Sequence, residues 1–175
     1  GLSTLVGYVP AGRLDLDSSG LLIFTKSGVM AKKLVGSRGN LEKEYLVTVE
    51  PVQQVSAVER EMGIKTLPSP HYDLKTFKSG GRRLWNDHKP LKPVVKAEWV
   101  DDKKTKDTTL TTTTTMTTTM TTKPTNGDDT LPRRTLRVVL KEGRKRQIRR
   151  MCREILGQHV VSLQRIRVGP ITLLN

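Results

Sequence analysis

TLRVVLKEGRKRQIRRMCREILGQHVVSLQRIRVGPITL, residues Thr135 to Leu173, holds three patterns in succession. Apolar and polar residues alternate from Thr135 to Leu140, the period of a half-buried strand. Ile148, Met151, Cys152 and Ile155 then fall at i, i+3, i+4 and i+7, one face of a helix. Gly157 is placed to end that helix as its C-cap. Val160 to Leu173 reads as two short strands broken at Gly169-Pro170. A strand, one amphipathic helix and two more strands without a regular βαβ rhythm predict an α+β fold rather than a doubly wound sheet.

The polar face of the same helix is nearly all arginine. From Arg133 to Arg153 there are ten basic residues and one acidic residue, Glu142. A merely solvated helix face would interleave glutamates to relieve the repulsion. Density of this kind predicts a polyanion on that face. The whole chain agrees: 175 residues carry a net charge of +14 with a pI near 10.2. Nucleic acid is therefore expected ahead of a membrane surface. The apolar share is 35% and aromatics are 4%, low for a globular chain. Cys152 is alone, which excludes an internal disulfide and a Cys-built zinc site, and His71, His88 and His159 are scattered. No metal is expected. No apolar run approaches the roughly 18 residues of a membrane span, and no signal-peptide pattern opens the chain.

Toward the N-terminus the same periodicities continue. Leu21 to Thr25 (LLIFT) reads as a buried strand, Val29 to Leu34 as a short helix, and Glu42 to Glu50 as a strand with Tyr45, Val47 and Val49 on one face. Val55 to Met62 has weaker helical spacing, and Val94 to Val100 alternates again. Residues 101–129 are different: threonine dominates and no apolar face recurs. This stretch is expected to be a disordered insertion, because it cannot offset the entropy of ordering.

Two smaller features carry possible chemistry. In GRLDLDSSGLLIFT (Gly12 to Thr25) a polar turn leads into an apolar run, with Leu14 and Leu16 able to anchor it. Asp15 and Asp17 there suit a salt bridge, a cap or a nucleophile; Ser18, Ser19 and Gly20 are explained by the turn. Tyr45 in EKEYLV suits either a core position or a stacking surface for a base.

Taken together, GRLDLDSSGLLIFT, SGVMAKKL, LEKEYLV and LKEGRKRQIRRMCREILGQHVVSLQRIRVGPITL resemble the pseudouridine synthases of the RsuA/RluB type, which modify ribosomal RNA. The resemblance covers most of Tyr8 to Val49 and Thr135 to Leu173, with Pro51 to Trp99 matching loosely. It implies a pseudouridine synthase catalytic domain spanning 1–175, an α+β fold with a mixed, mostly antiparallel sheet and few helices, and an isomerase with no cofactor. It implies Asp15 as nucleophile, with Asp17 outside the chemistry. Arg13 would help hold the target base out of the RNA stack, Tyr45 would pack on that base, and Arg149 would pair with the nucleophile, ahead of Arg144. Arg144, Lys145, Arg146, Arg150 and Arg153 would bind RNA. An ion pair between Asp15 and Arg149 is expected, since a cation favours the charged form of a carboxylate. The chain departs from the family in lacking the small N-terminal domain and part of the first strand, and in stopping soon after GPITL, so truncation at both ends is expected. A monomer is expected, in the cytoplasm or an organelle such as a mitochondrion or plastid. The rival reading is a non-catalytic RNA-binding or ribosome-associated protein on a degenerate synthase scaffold.

Overall fold

The computed structural model describes residues 6–35, 41–52, 67–100 and 133–173. Its spine is β4 (Lys43–Pro51), flanked by β6 (Arg134–Leu140) and β7 (Gln158–Val168), both antiparallel to it. β5 (Lys96–Val100) extends the sheet beyond β6, and β2 (Ser19–Gly20) runs parallel to β7 on the other side. The order is β2-β7-β4-β6-β5, with β8 (Ile171–Thr172) folding back on β7. One parallel pairing among antiparallel ones makes the sheet mixed and mostly antiparallel, as the resemblance implies.

One face of this sheet builds the core. Val47 and Val49 of β4, Leu136, Val138 and Leu140 of β6, and Leu163 of β7 are buried there. Helix α3 (Gln147–Leu156) lies on them through Ile148, Met151, Cys152, Ile155 and Leu156, the face that the sequence spacing picks out. Each such side chain contributes roughly 1.5–3 kcal/mol of hydrophobic stabilisation. Phe77 from α2 (Lys75–Ser79), with Leu84 and Leu91 from the loop that follows, closes the edge of this core. The helix ends at Gly157, whose left-handed φ of +64 lets its N–H reach the Cys152 carbonyl. A Cβ there would come 2.3 Å from the Pro68 carbonyl oxygen, so only glycine fits.

The opposite face is polar and held by charge. Arg167 of β7 donates to Glu44 at 2.7 Å and to Glu42 at 3.2 Å, and Arg133 donates to Glu50 at 3.1 Å. Burial on one face and ion pairs on the other is the pattern of an alternating antiparallel sheet.

Leu21 to Thr25 does not form the single strand expected of it. Ser19–Gly20 joins the main sheet, whereas β3 (Phe24–Thr25) pairs with β1 (Val9–Pro10) in a separate two-stranded sheet. Between them Leu21 and Ile23 pack on a second cluster with Ala11, Val168 and Leu34 of α1 (Gly28–Val35). The switch of sheets over so few residues breaks the run. Leu16 is fully exposed and anchors nothing, because it sits at the corner of a turn; Leu14 is half-buried. The helix expected at Val55 to Met62 and the threonine-rich 101–129 lie outside the described residues.

Candidate active site

The site forms where the turn carrying Asp15 meets β7. The Ser18 N–H donates to the Asp15 carbonyl at 2.9 Å, closing a tight turn. Gly20 follows at φ +100, so close to β7 that a Cβ would come 2.3 Å from the Arg165 carbonyl oxygen. That oxygen accepts from the Leu21 N–H at 2.7 Å. The Arg165 side chain completes the attachment: its Nε donates to the Leu21 carbonyl at 2.8 Å and its guanidinium reaches the Arg13 carbonyl at 3.4 Å. A buried arginine thus stitches the Asp15 loop to the sheet.

Gly20, Arg165, Tyr45 and Val138 form one row across four strands. Arg165 therefore stands beside Tyr45. Burial pushes the Tyr45 phenol above its ordinary range; the Arg165 guanidinium opposes that shift, and the negative charge of Asp15 adds to it. Asp15, Tyr45 and Arg165 therefore share one neighbourhood. Lys43, two residues before Tyr45 on the same face, is lowered by burial and by the Arg165 charge. A β-bulge between Glu44 and Tyr45 lies at this row, a device that re-aims side chains beside functional sites.

Arg149 does not make the expected ion pair with Asp15. Its Nε lies 3.4 Å from Asp17 Oδ2, and its guanidinium donates to the Asp17 carbonyl at 2.5 Å and the Val160 carbonyl at 3.0 Å. Arg146 grips the same carboxylate through two bonds of 2.8 and 3.3 Å. The Arg146 hydrogen bond, with the Arg149 charge behind it, holds Asp17 below the usual carboxylate range. The reason is local. In a turn closed from residue 15 to residue 18, Asp17 is the carboxylate that faces the first turn of α3.

The other expected RNA contacts divide. Arg144 donates to the Lys89 and Pro90 carbonyls and pairs with Glu142 and Asp87, each at 3.2 Å. Arg150 pairs with Asp87 and Glu154 and donates to the Trp85 carbonyl. Both are engaged within the chain. Arg13, Lys145 and Arg153 are exposed and take no ion pair among the described residues. Cys152 is fully buried, and burial pushes its thiol up to about 12, which removes it as a nucleophile. Among the described residues no cluster of His, Cys, Asp and Glu could hold a metal, and no helix is long and apolar enough to cross a membrane. Arg165 is the site residue that sequence reading misses; its signal is the basic residue in the apolar alternation of SLQRIRV.

A profile of the RNA pseudouridylate synthase family matches residues 6–154. The ribosomal small subunit pseudouridine synthase A of Escherichia coli (strain K12) is 30% identical over 164 residues, 93% of this chain and 49% of that protein. The ribosomal large subunit pseudouridine synthase E of Vibrio parahaemolyticus is 27% identical over 180 residues, 99% of this chain and 61% of that one. A crystal structure of a pseudouridylate synthase shares the fold, with a TM-score of 0.62 at 23% identity over 99% of this chain and 54% of that one. The chain spans about half the length of the curated relatives it matches.

Proposed function

The chain belongs to the RNA pseudouridylate synthase family, and from that premise we propose that it isomerises uridine to pseudouridine in structured RNA, ribosomal RNA first. The N1–C1′ glycosidic bond breaks, the uracil turns, and a C5–C1′ bond forms while a proton leaves C5 and N1 gains one. Electrons balance without an oxidant, and no water is consumed.

Asp15 is the nucleophile in this reading, Tyr45 the surface against which the target base packs, and Arg149 a cation at the mouth of the site. Arg165 joins them as the residue that fixes the Asp15 loop. The observation that carries the reading is Arg165 standing beside Tyr45 on one row of the sheet while its guanidinium ties down the loop that carries Asp15. A target uridine lies inside an RNA stack and must be extruded, at a cost of a few kcal/mol. In this reading the Tyr45 ring and the exposed Arg13 offset that cost. Lys145 and Arg153 face solvent, where they would meet phosphate.

The test is pseudouridine mapping of ribosomal RNA in cells lacking the gene, rescued with wild type or Asp15→Asn. Wild type should restore at least one pseudouridine and the variant none, while RNA binding persists. Full restoration by the variant would overturn the mechanism. The binding-only reading draws on the pairing of Arg149 with Asp17 rather than Asp15. It predicts no missing pseudouridine in the cells lacking the gene.

A further inference from the structure

Trp85 is 57% exposed, although its backbone is fixed from both sides. Its N–H donates to Glu154 at 2.7 Å and its carbonyl accepts from Arg150, both side chains of α3. The loop around it, residues 80–93, is equally well held. Leu84 and Leu91 are buried to 2% and 3% exposure. Gly81 N–H donates to the Leu91 carbonyl and Leu91 N–H to the Arg82 carbonyl, each at 2.8 Å. Arg144 binds the Lys89 and Pro90 carbonyls. Asn86, in the left-handed region at φ +54, turns the chain just past the tryptophan. A rigid loop therefore presents a large ring to solvent, and a tryptophan ordered this way loses little entropy on binding.

The surroundings say what the ring would meet. Arg82, Arg83, His88 and Lys89 are exposed on the same loop. The loop's one acidic residue, Asp87, is held by Arg144 and Arg150 at 3.2 and 3.4 Å. Arg153, three residues after Arg150 and so on the same side of α3, is exposed too. Aromatic rings set among cations bind single-stranded nucleic acid, the ring stacking on a base and the cations meeting phosphates. Adjacent residues of α3 connect this loop to the site: Arg149 touches Asp17 and Arg150 touches Trp85.

We propose that Trp85 is a stacking platform for an unpaired nucleotide that flanks the target uridine, with Arg82, Arg83 and Arg153 on the neighbouring phosphates. The proposal rests on the RNA-modifying reading above and adds a substrate feature to it: unpaired RNA beside the target, not a continuous duplex.

The experiment uses the intact protein, a hairpin RNA with a single-stranded uridine-rich loop, and the same loop sequence annealed into a full duplex. Trp85→Ala should weaken hairpin binding by about tenfold, Trp85→Phe should hold most of it, and duplex binding should be unchanged. In a Trp99→Phe protein, the remaining Trp85 fluorescence should be quenched by saturating hairpin and not by duplex. Should Trp85→Ala fail to fold, this quenching gives the answer alone. Wild-type hairpin affinity in a folded Trp85→Ala, equal losses on both RNAs, or unquenched Trp85 in the bound complex would each overturn the proposal. Wild type binding neither RNA would bring down the RNA-modifying reading with it.

Discussion

Asp15 and Asp17 stand two positions apart in one turn, and their partners differ. Asp17 holds Arg149 of α3 and Arg146 just before it. Asp15 lies by Tyr45 and Arg165. Asp17 is thus a positioning residue in the proposed reaction, fixing Arg149 beside the site. Asp17→Asn keeps the shape and the Asp17 carbonyl contact but removes the charge. Its kcat should fall by about fivefold at most, the scale of an exposed ion pair, with KM little changed. Glutamate at 17 should recover part of the loss. Single-turnover pseudouridine assays on the intact protein would check this, with Asp15→Asn as the inactive reference. Loss as complete at 17 as at 15 would show that the roles of the two carboxylates have been exchanged. Sequence reading named both aspartates but expected Arg149 on Asp15 rather than Asp17, because that choice depends on how one turn is closed.

At the scale of elements, α3 and β4 were legible and β7 was only half so. The 3.6-residue period of Ile148, Met151, Cys152 and Ile155 had one consistent solution, and all four are buried. In β7, alternation puts Leu163, Arg165 and Arg167 on one face. The bulge at Glu44/Tyr45 reverses the last of them, so Arg165 faces Tyr45 while Arg167 pairs with Glu44 on the other side. A bulge adds a residue without any mark in composition, which is why the opposite facing of Arg165 and Arg167 could not be read beforehand. LLIFT failed for a related reason: hydrophobicity locates a buried segment but not the sheet it joins. Two outcomes follow at this scale. Gly20→Ala should destabilise by about 2–4 kcal/mol, since φ is positive and the Cβ meets the Arg165 carbonyl. Denaturant titration would measure it, and a loss below about 0.5 kcal/mol would mean that the close packing of β2 on β7 is wrong. Cys152, its thiol pushed up to about 12 by burial, should resist thiol reagents in native protein and react at once after unfolding. Fast labelling under native conditions would show α3 leaving the sheet.

Over the whole molecule, the basic residues divide between building the fold and facing solvent. A net +14 is evident in composition, but composition does not separate arginines that build the fold from those free to bind. Arg144, Arg150 and Arg165 hold loops, whereas Lys145 and Arg153 face solvent. RNA affinity should therefore fall steeply with salt, and Lys145→Gln or Arg153→Gln should each flatten the log–log slope by about one unit. Arg150→Gln should lower thermal stability as well, because it removes one of the two contacts that hold each of Trp85 and Asp87. Equal slopes for wild type and the Lys145/Arg153 double variant would place the RNA elsewhere.

The threonine-rich stretch tests the same whole-molecule logic from the opposite side. β5 ends at Val100 and β6 begins at Arg134, and Val100 pairs directly with Thr135 across the ladder. The chain thus leaves and re-enters the sheet at one place, so a far shorter connection can join the two strands. Deleting Thr105 to Thr125 keeps ample chain for that turn and lowers the entropy of closing it. The expected gain is small, roughly 1 kcal/mol, because closure entropy grows only with the logarithm of length. The deleted protein should therefore melt at the wild-type temperature or slightly above, and its pseudouridine yield on ribosomal RNA should be unchanged. Of the candidate site residues, Tyr45 pairs with Val138, three residues along β6 from Thr135, while Arg165 and Asp15 lie farther toward β7 and β2. A melting temperature lower by many degrees would mean that the threonines cover part of the domain. Intact stability with lost activity would mean instead that they contact the RNA.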